Sequence, residues 1–527
     1  MTELDPGQGV GPDRLLIDAL RADLAAASFT VPAIESLLGP LASSALDRDQ
    51  PLAALRVTDR PGDVATLVRL FLLGAEVNRD ELDQALPRLG TAGAERLGLV
   101  TSAGRESGDA VRADVDLRPY QVLDAAGEAT WWLASDQGEP ATGDGPDGEH
   151  VLGVGAAAVT LAQVTVRDPR ERALDLGTGC GVQALLAARH CRSVVATDSS
   201  RRALSFAAFN AALARVDLDL RAGSMLAPVR GQTFDLVVSN PPFFMNPGVV
   251  RDSGPPRYEY REMEAAGDDV VRDLVHRVGT VLAPGGVAQL LGSWEVRRGE
   301  GWRDRVGSWL DAVGLDGWVI QREVLDPAEY AETWLRDGGT TPDRDSARFT
   351  AAYAASLDDL ERRGVEGIGF GIITLRRPMR ADAPLLRRLE EHTGRLRPPL
   401  GVHLAHGLAM HDWLAAHDGM RLDGMRLDGP AFAAARLTVA ADVTEERYLE
   451  PGSADPRVIV LRQGDGFGRG VQADTALAGF VGACDGELTV GQIVGALAQL
   501  LAVPTAELAA ELAPQVRDLI RDGFLLP

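Results

Sequence analysis

The sequence predicts an α/β fold built on a mostly parallel sheet of seven strands, with mainly helical segments before and after it. Three observations carry this. Apolar, β-rich runs recur at Ala173–Leu176, Ser193–Thr197, Leu218–Ala222, Phe234–Ser239, Val287–Leu291, Gly317–Glu323 and Gly367–Leu375. Helical patterns separate most of them, and such alternation favours parallel pairing with helices on both faces. The first run enters a loop with glycines at alternate positions, Gly177, Gly179 and Gly181, where the backbone can turn sharply and approach a ligand closely.

Residues 12–130 read as helical at first, with Leu15, Leu16, Ala19, Leu20, Leu24 and Ala27 at helical spacing. Short helices followed by Leu97-Gly98-Leu99-Val100 and the β-rich stretches Val111–Leu117 and Ala129–Ala134 resemble a winged-helix domain over residues 1–135. Residues 136–149, rich in Gly, Asp, Pro and Glu, read as a linker. The sheet domain then spans 150–378, with a helical insertion at 327–363. Residues 379–429 read as a helical connector containing Pro398-Pro399 and a short tandem repeat beginning at Asp418 and again at Asp423. Residues 430–527 form a second winged-helix-like domain, in which Thr489 and Gln492 make a capping box before Ile493, Val494 and Leu497.

Composition narrows the function classes. The 527 residues are 45% hydrophobic and 24% charged, which predicts packed cores. The acidic N-terminus lacks the apolar segment of a secretory signal, and no run of about 18 apolar residues predicts a membrane span. Three scattered cysteines, Cys180, Cys191 and Cys484, offer neither a disulfide framework nor a CxxC metal pair, which fits the cytoplasm. The 53 basic residues are all Arg, and the net charge is −23. Residues 1–130 hold 12 Arg against 21 acids, and residues 430–527 hold 7 against 13. Phosphate neutralisation needs a basic excess, so tight duplex DNA binding by either flank is not expected. Five of the eight histidines fall between His392 and His417, but their spacings match no metal motif and read as a polar helix surface.

The chemistry sits in three motifs. The glycine loop reads Asp175-Leu-Gly177-Thr178-Gly179-Cys-Gly181. A dinucleotide fingerprint would need its third glycine at position 182, where Val182 stands. The second strand ends in Asp198, followed by Ser199, and an acid there can accept hydrogen bonds from both hydroxyls of a ribose. The fourth strand ends in Ser239-Asn240-Pro241-Pro242-Phe243. This ending resembles that of amino-group methyltransferases, which implies that Asn240 Oδ1 and the Pro241 carbonyl accept from the two N–H groups of a planar amide or amino nitrogen. Such a nitrogen is a poor nucleophile, and acceptors that tighten as it gains positive charge stabilise its transition state. Two prolines stiffen the loop in advance, and Phe243 can stack on a planar group.

These motifs, in this order, resemble the class I S-adenosylmethionine-dependent methyltransferases, whose sheet is Rossmann-like. The Asn-Pro-Pro-aromatic ending is similar to that of release-factor glutamine methyltransferases, ribosomal-RNA guanine-N2 methyltransferases and adenine-N6 methyltransferases. The resemblance implies S-adenosylmethionine as cofactor, held by Asp175, Gly177, Thr178, Gly179, Gly181, Asp198, Ser199, Gly223, Ser224, Met225 and Asn240. Asp175 would orient the cofactor's ammonium group, and Gly223, Ser224 and Met225 would reach the adenine. It implies catalysis by Asn240, Pro241, Pro242 and Phe243 on a macromolecular acceptor: a Gln or Asn side chain of a protein, or a base of RNA or DNA. Tyr258, Tyr260, Arg261 and Glu262 could gate that acceptor. Leu282-Ala-Pro284-Gly285-Gly286 before the fifth strand is a further shared feature. The chain departs from the glutamine-methyltransferase pattern at Phe243, where that family usually has Tyr, and in its insertion and both flanks. The rival reading is a catalytically silent, cofactor-sensing regulator with winged-helix interaction modules, against which the intact Asp175, Asp198 and Asn240 speak.

Overall fold

The computed structural model describes residues 13–48, 50–138, 150–241, 267–417 and 430–527. They fall into two compact units. One comprises Met1–Ala162, Pro169–Pro378 and Arg387–Glu390; the other comprises Gln163–Asp168, Met379–Leu386 and Glu391–Pro527.

The first unit is built on one sheet of eight strands. In chain order these are β1 (Arg170–Leu176), β2 (Cys191–Asp198), β3 (Asp219–Ala222), β4 (Phe234–Ser239), β5 (Leu282–Arg297), β6 (Asp316–Leu325), β7 (Val365–Arg376) and β8 (Arg387–Glu391). Their spatial order is β3-β2-β1-β4-β5-β7-β6-β8. β1 to β5 pair in parallel, and β7 runs antiparallel to both β5 and β6. Order and direction match a class I methyltransferase sheet with one added edge strand. That strand corrects two expectations, the count of seven and the helical reading of 379–429. Arg387-Arg-Leu-Glu-Glu391 has no apolar alternation. It is held by polar contacts, with Trp318 Nε1 donating to Glu390 at 2.7 Å and the Arg388 guanidinium 4.5 Å from the Trp318 ring.

β5 and β7 also run longer than their apolar cores predict. The ladder continues from Val287 paired with Arg376 to Arg297 paired with Val365. Glu295 and Arg297 lie beyond the expected strand Val287–Leu291, yet Glu295 is fully buried and accepts from Arg297, while Asp268 accepts a bidentate pair of bonds from Arg305 at 2.7 Å. A buried charge is tolerable when it is paired and hydrogen-bonded in this way. At the start of β5, a Cβ on Gly286 would lie 2.7 Å from the Phe234 carbonyl oxygen, so only glycine fits beside β4. Helices Pro327–Asp337 and Ser346–Arg362 fill the interval between β6 and β7.

The N-terminal residues do not stand apart from this sheet. Besides helices they hold a three-stranded sheet (Val77–Asn78, Val100–Ser102, Ala110–Ala113) and a hairpin of Asp116–Asp124 with Gly127–Ser135. The hairpin lies against the helix Arg201–Ala214, which follows β2. One hydrophobic cluster runs from Leu20 and Phe29 through Trp131, Trp132 and Leu133 to Phe206 and Phe209. Truncating one fully buried Phe in such a cluster costs about 3–5 kcal/mol. The residues at the expected linker are anchored where they are described. Asp136 accepts from Arg202, and Gln137 donates to the Phe71 and Val115 carbonyls.

In the second unit, helices Leu400–His417, Thr475–Gly482, Val490–Leu501 and Thr505–Arg521 pack with two three-stranded sheets, so it is mixed rather than mainly helical. Thr489 and Gln492 form the capping box that starts Val490–Leu501. The short tandem repeat lies outside the described residues. Among the described residues no single helix is long and apolar enough to cross a membrane. Arg14–Ala26 and Val31–Leu46 reach that length together, but they bury Ile17, Leu20, Leu24 and Leu38 in the protein core.

Candidate active site

Parallel register brings the motif-bearing strand ends to one edge. Leu176 of β1 stands beside Thr197 of β2 and Ser239 of β4, and Asp198 stands beside Ala222 of β3. In open α/β sheets this carboxyl edge, where strand order reverses, is where ligands bind. Here the reversal falls between β1 and β4.

The glycine loop leaves β1 at this point. The N–H groups of Gly177 and Thr178 donate to the Thr197 carbonyl at 2.9 and 3.0 Å, folding the loop back over β2. Gly177, Gly179 and Gly181 have φ of 72°, 54° and 89°, a region that side chains disfavour. The first two face open space: a Cβ on either would meet nothing within 4 Å. Gly181 faces inward, where a Cβ would sit 3.1 Å from Ala207 of the helix Arg201–Ala214.

Asp175, at 1% exposure, lies beneath this loop. Its Oδ2 accepts from the Thr178 hydroxyl at 2.6 Å. Burial pushes its carboxyl from the ordinary 3.8 up to about 7; bonds from Thr178 and the Ala184 N–H oppose the rise, and the Asp198 charge adds to it. Asp198 accepts from the Gly179 N–H through Oδ2 and from the Ser200 N–H through Oδ1, both at 2.9 Å. Burial raises its carboxyl too, against those backbone bonds. Each Asp198 oxygen keeps a lone pair for a further donor. The Gly223 N–H donates to the Asp198 carbonyl at 2.9 Å, which sets Gly223, Ser224 and Met225 beside it; Met225 holds φ of 49° without being glycine. Ser199 is exposed. The Thr178 hydroxyl bonds Asp175 and its N–H bonds Thr197 of β2, so its side chain also braces Asp175.

Asn240 follows β4 directly. Its Oδ1 is buried and accepts no hydrogen bond from any described residue. An unmet buried acceptor costs about 1–3 kcal/mol unless a donor reaches it. Ser239, which the motif reading passed over, fixes this strand end: its hydroxyl donates to the Leu176 carbonyl at 2.8 Å and ties β4 to β1. A serine closing the apolar run Leu236–Val238 was the available signal. Pro241 is buried. Pro242 and Phe243 lie outside the described residues, as do Tyr258, Tyr260, Arg261 and Glu262. The histidine-rich segment makes ordinary contacts, His411 Nε2 with the Pro384 carbonyl and His417 Nδ1 with the Trp413 carbonyl. Among the described residues no three His, Cys, Asp or Glu side chains converge as metal ligands.

Comparison with known proteins is consistent with this geometry. Residues 153–252 match the methyltransferase small domain; residues 26–114 and 406–527 match two domains of unknown function, DUF7059 and DUF7782. A release factor glutamine methyltransferase of Deinococcus radiodurans is 34% identical over 246 residues, which cover 43% of this chain and 84% of that protein. A ribosomal protein uL3 glutamine methyltransferase of Bradyrhizobium diazoefficiens is 32% identical over 28% of this chain and 50% of its own length. Among solved structures, a 16S rRNA N2-guanine methyltransferase of T. thermophilus aligns at 17% identity with a TM-score of 0.25, covering 50% of this chain and 66% of that one. The chain is an S-adenosylmethionine-dependent methyltransferase and belongs to the family of the release factor glutamine methyltransferases.

Proposed function

We propose that the enzyme methylates the side-chain amide nitrogen of a glutamine in a protein. The observation that carries this is Asn240 Oδ1, a buried acceptor with no partner among the described residues, next to Pro241 at the carboxyl end of β4. Together with the Pro241 carbonyl it offers two acceptors to the two N–H groups of a primary amide. The names of the relatives, glutamine methyltransferases of a release factor and of a ribosomal protein, favour an amide over a nucleobase. The acidic balance of the chain favours a protein acceptor as well.

The open space above Gly177 and Gly179 and the spare lone pairs on Asp198 fit S-adenosylmethionine, which when bound supplies an electrophilic methyl group. In this reading Asp198 accepts from the ribose hydroxyls and Asp175, once ionised, faces the ammonium. Gly223, Ser224 and Met225 flank the adenine, and Phe243 stacks on the acceptor. Asn240 and Pro241 hold the amide nitrogen so that its lone pair faces the methyl carbon. Both bonds strengthen as the nitrogen becomes positive, and no general base is needed before transfer. Orientation of this kind can supply about 7–11 kcal/mol of the barrier reduction.

The test is transfer of labelled methyl groups into extract of a deletion strain. Label that survives nuclease, is lost to protease and is recovered as methylglutamine supports the reading. Label lost to nuclease would transfer the assignment to a nucleobase amino group.

Asp175 also sets a pH dependence. With its carboxyl at about 7, the neutral form dominates below that pH and cannot pair with an ammonium. Affinity for S-adenosylhomocysteine, which keeps the ammonium, should weaken roughly tenfold between pH 8 and pH 6. Asp175→Asn should bind more weakly at pH 8 and show a flatter profile. Calorimetry across this range decides it, and a flat wild-type profile would remove Asp175 from this role.

A further inference from the structure

Asn210 lies on the helix Arg201–Ala214, one turn beyond Ala207, and is fully buried. Its Oδ1 accepts from the Ala134 N–H at 2.7 Å, and its Nδ2 donates to the carbonyls of Ala134 and Cys180, both at 2.8 Å. One amide therefore closes a reciprocal pair with the last strand of the N-terminal hairpin. It also satisfies a backbone carbonyl inside the glycine loop. Ala134 and Cys180 are buried, so water cannot replace these partners. Gly181, the next residue in the loop, packs directly on Ala207. Helix, hairpin and loop thus meet at one point. Other ties between hairpin and helix, such as the bidentate pair of Asp136 with Arg202, do not touch the loop.

We infer that Asn210 is a positioning residue for the cofactor site, which holds the glycine loop in register with the N-terminal hairpin so that the N-terminal segment sets cofactor affinity. Without Asn210 the loop keeps its fold through the Gly177 and Thr178 bonds to Thr197 and the packing of Gly181 on Ala207, but loses the fixed orientation of the Gly179 N–H that meets Asp198. Preorganised contacts of this kind depend on outer supports that lock their geometry. The inference rests on the reading of the glycine loop as the cofactor cradle.

The experiment uses full-length variants, with S-adenosylhomocysteine as the calorimetric probe, thermal melts alongside, and hydrogen–deuterium exchange of the peptide covering 177–186. Asn210→Ala should weaken binding roughly tenfold or more and speed exchange in that peptide. Asn210→Ser, a milder change, should do the same to a smaller degree and covers the case in which the alanine variant does not fold. Arg202→Gln, which breaks the other tie, should lower the melting temperature and leave affinity and loop exchange unchanged. Unchanged affinity in both Asn210 variants, or equal loss of affinity in Arg202→Gln, overturns the inference. Asp198→Ala separates the two readings. If it too leaves binding intact, the cradle itself is misassigned; if it abolishes binding while Asn210→Ala does not, only the role of Asn210 falls.

Discussion

Asn240→Ala should lower methyl transfer by about 10²-fold or more while folding and most cofactor affinity persist. That is the scale seen when one oriented transition-state hydrogen-bonding group is lost. The expectation follows from the buried, unpartnered Oδ1, which has no structural partner among the described residues to lose. Removing it should therefore not lower stability, and relief of an unmet acceptor can raise the melting temperature slightly. Asn240→Asp should be less damaging, because a carboxylate still accepts hydrogen bonds, although its charge alters the site. Single-turnover transfer to the acceptor identified in extract, beside melts of each variant, measures this. Full activity in Asn240→Ala would make the Asn-Pro-Pro-Phe loop a structural turn and point to a different nucleophile.

Asp198→Ala should weaken S-adenosylhomocysteine binding by roughly 1–3 kcal/mol, the cost of lost hydrogen bonds at a partly buried site. The loss has two sources. The ribose hydroxyls lose their acceptor, and the Gly179 and Ser200 N–H groups lose theirs, which loosens the loop over β2. Asp198→Asn keeps one acceptor oxygen and should fall between. Calorimetry at pH 8 distinguishes the three proteins. An affinity equal to wild type in both variants would place the ribose elsewhere.

The loops and strand ends of the candidate site were largely legible because their signals are local. Gly177, Gly179 and Gly181 announce positive φ, and the position of the third glycine excludes a dinucleotide loop. Asp198 closes an apolar strand, and Asn240 is set in a proline pair. The features that were not legible depend on distant partners. β8 carries charges where a strand pattern needs apolar residues, and its support is a tryptophan 72 residues away in sequence. The far end of β5 lies beyond the apolar run Val287–Leu291 and buries Glu295; only the fold supplies its distant partners Arg363 and Arg305. The bond between Asn210 and Ala134 spans 76 residues, and nothing in either neighbourhood announces it. For the same reason the boundary drawn at residue 136 separates segments that share one core.

Phe206 and Phe209 turn an aromatic face of the cofactor-binding half toward the hairpin residues Trp131, Trp132 and Leu133. Cut away from the first 135 residues, the sheet would carry that face bare to water, an invitation to aggregate. The N-terminal segment is thus not a detachable address label that evolution or an engineer could exchange for another. Its inner residues answer to the catalytic half. On its outer surface Leu15, Leu41 and Leu52 stand exposed.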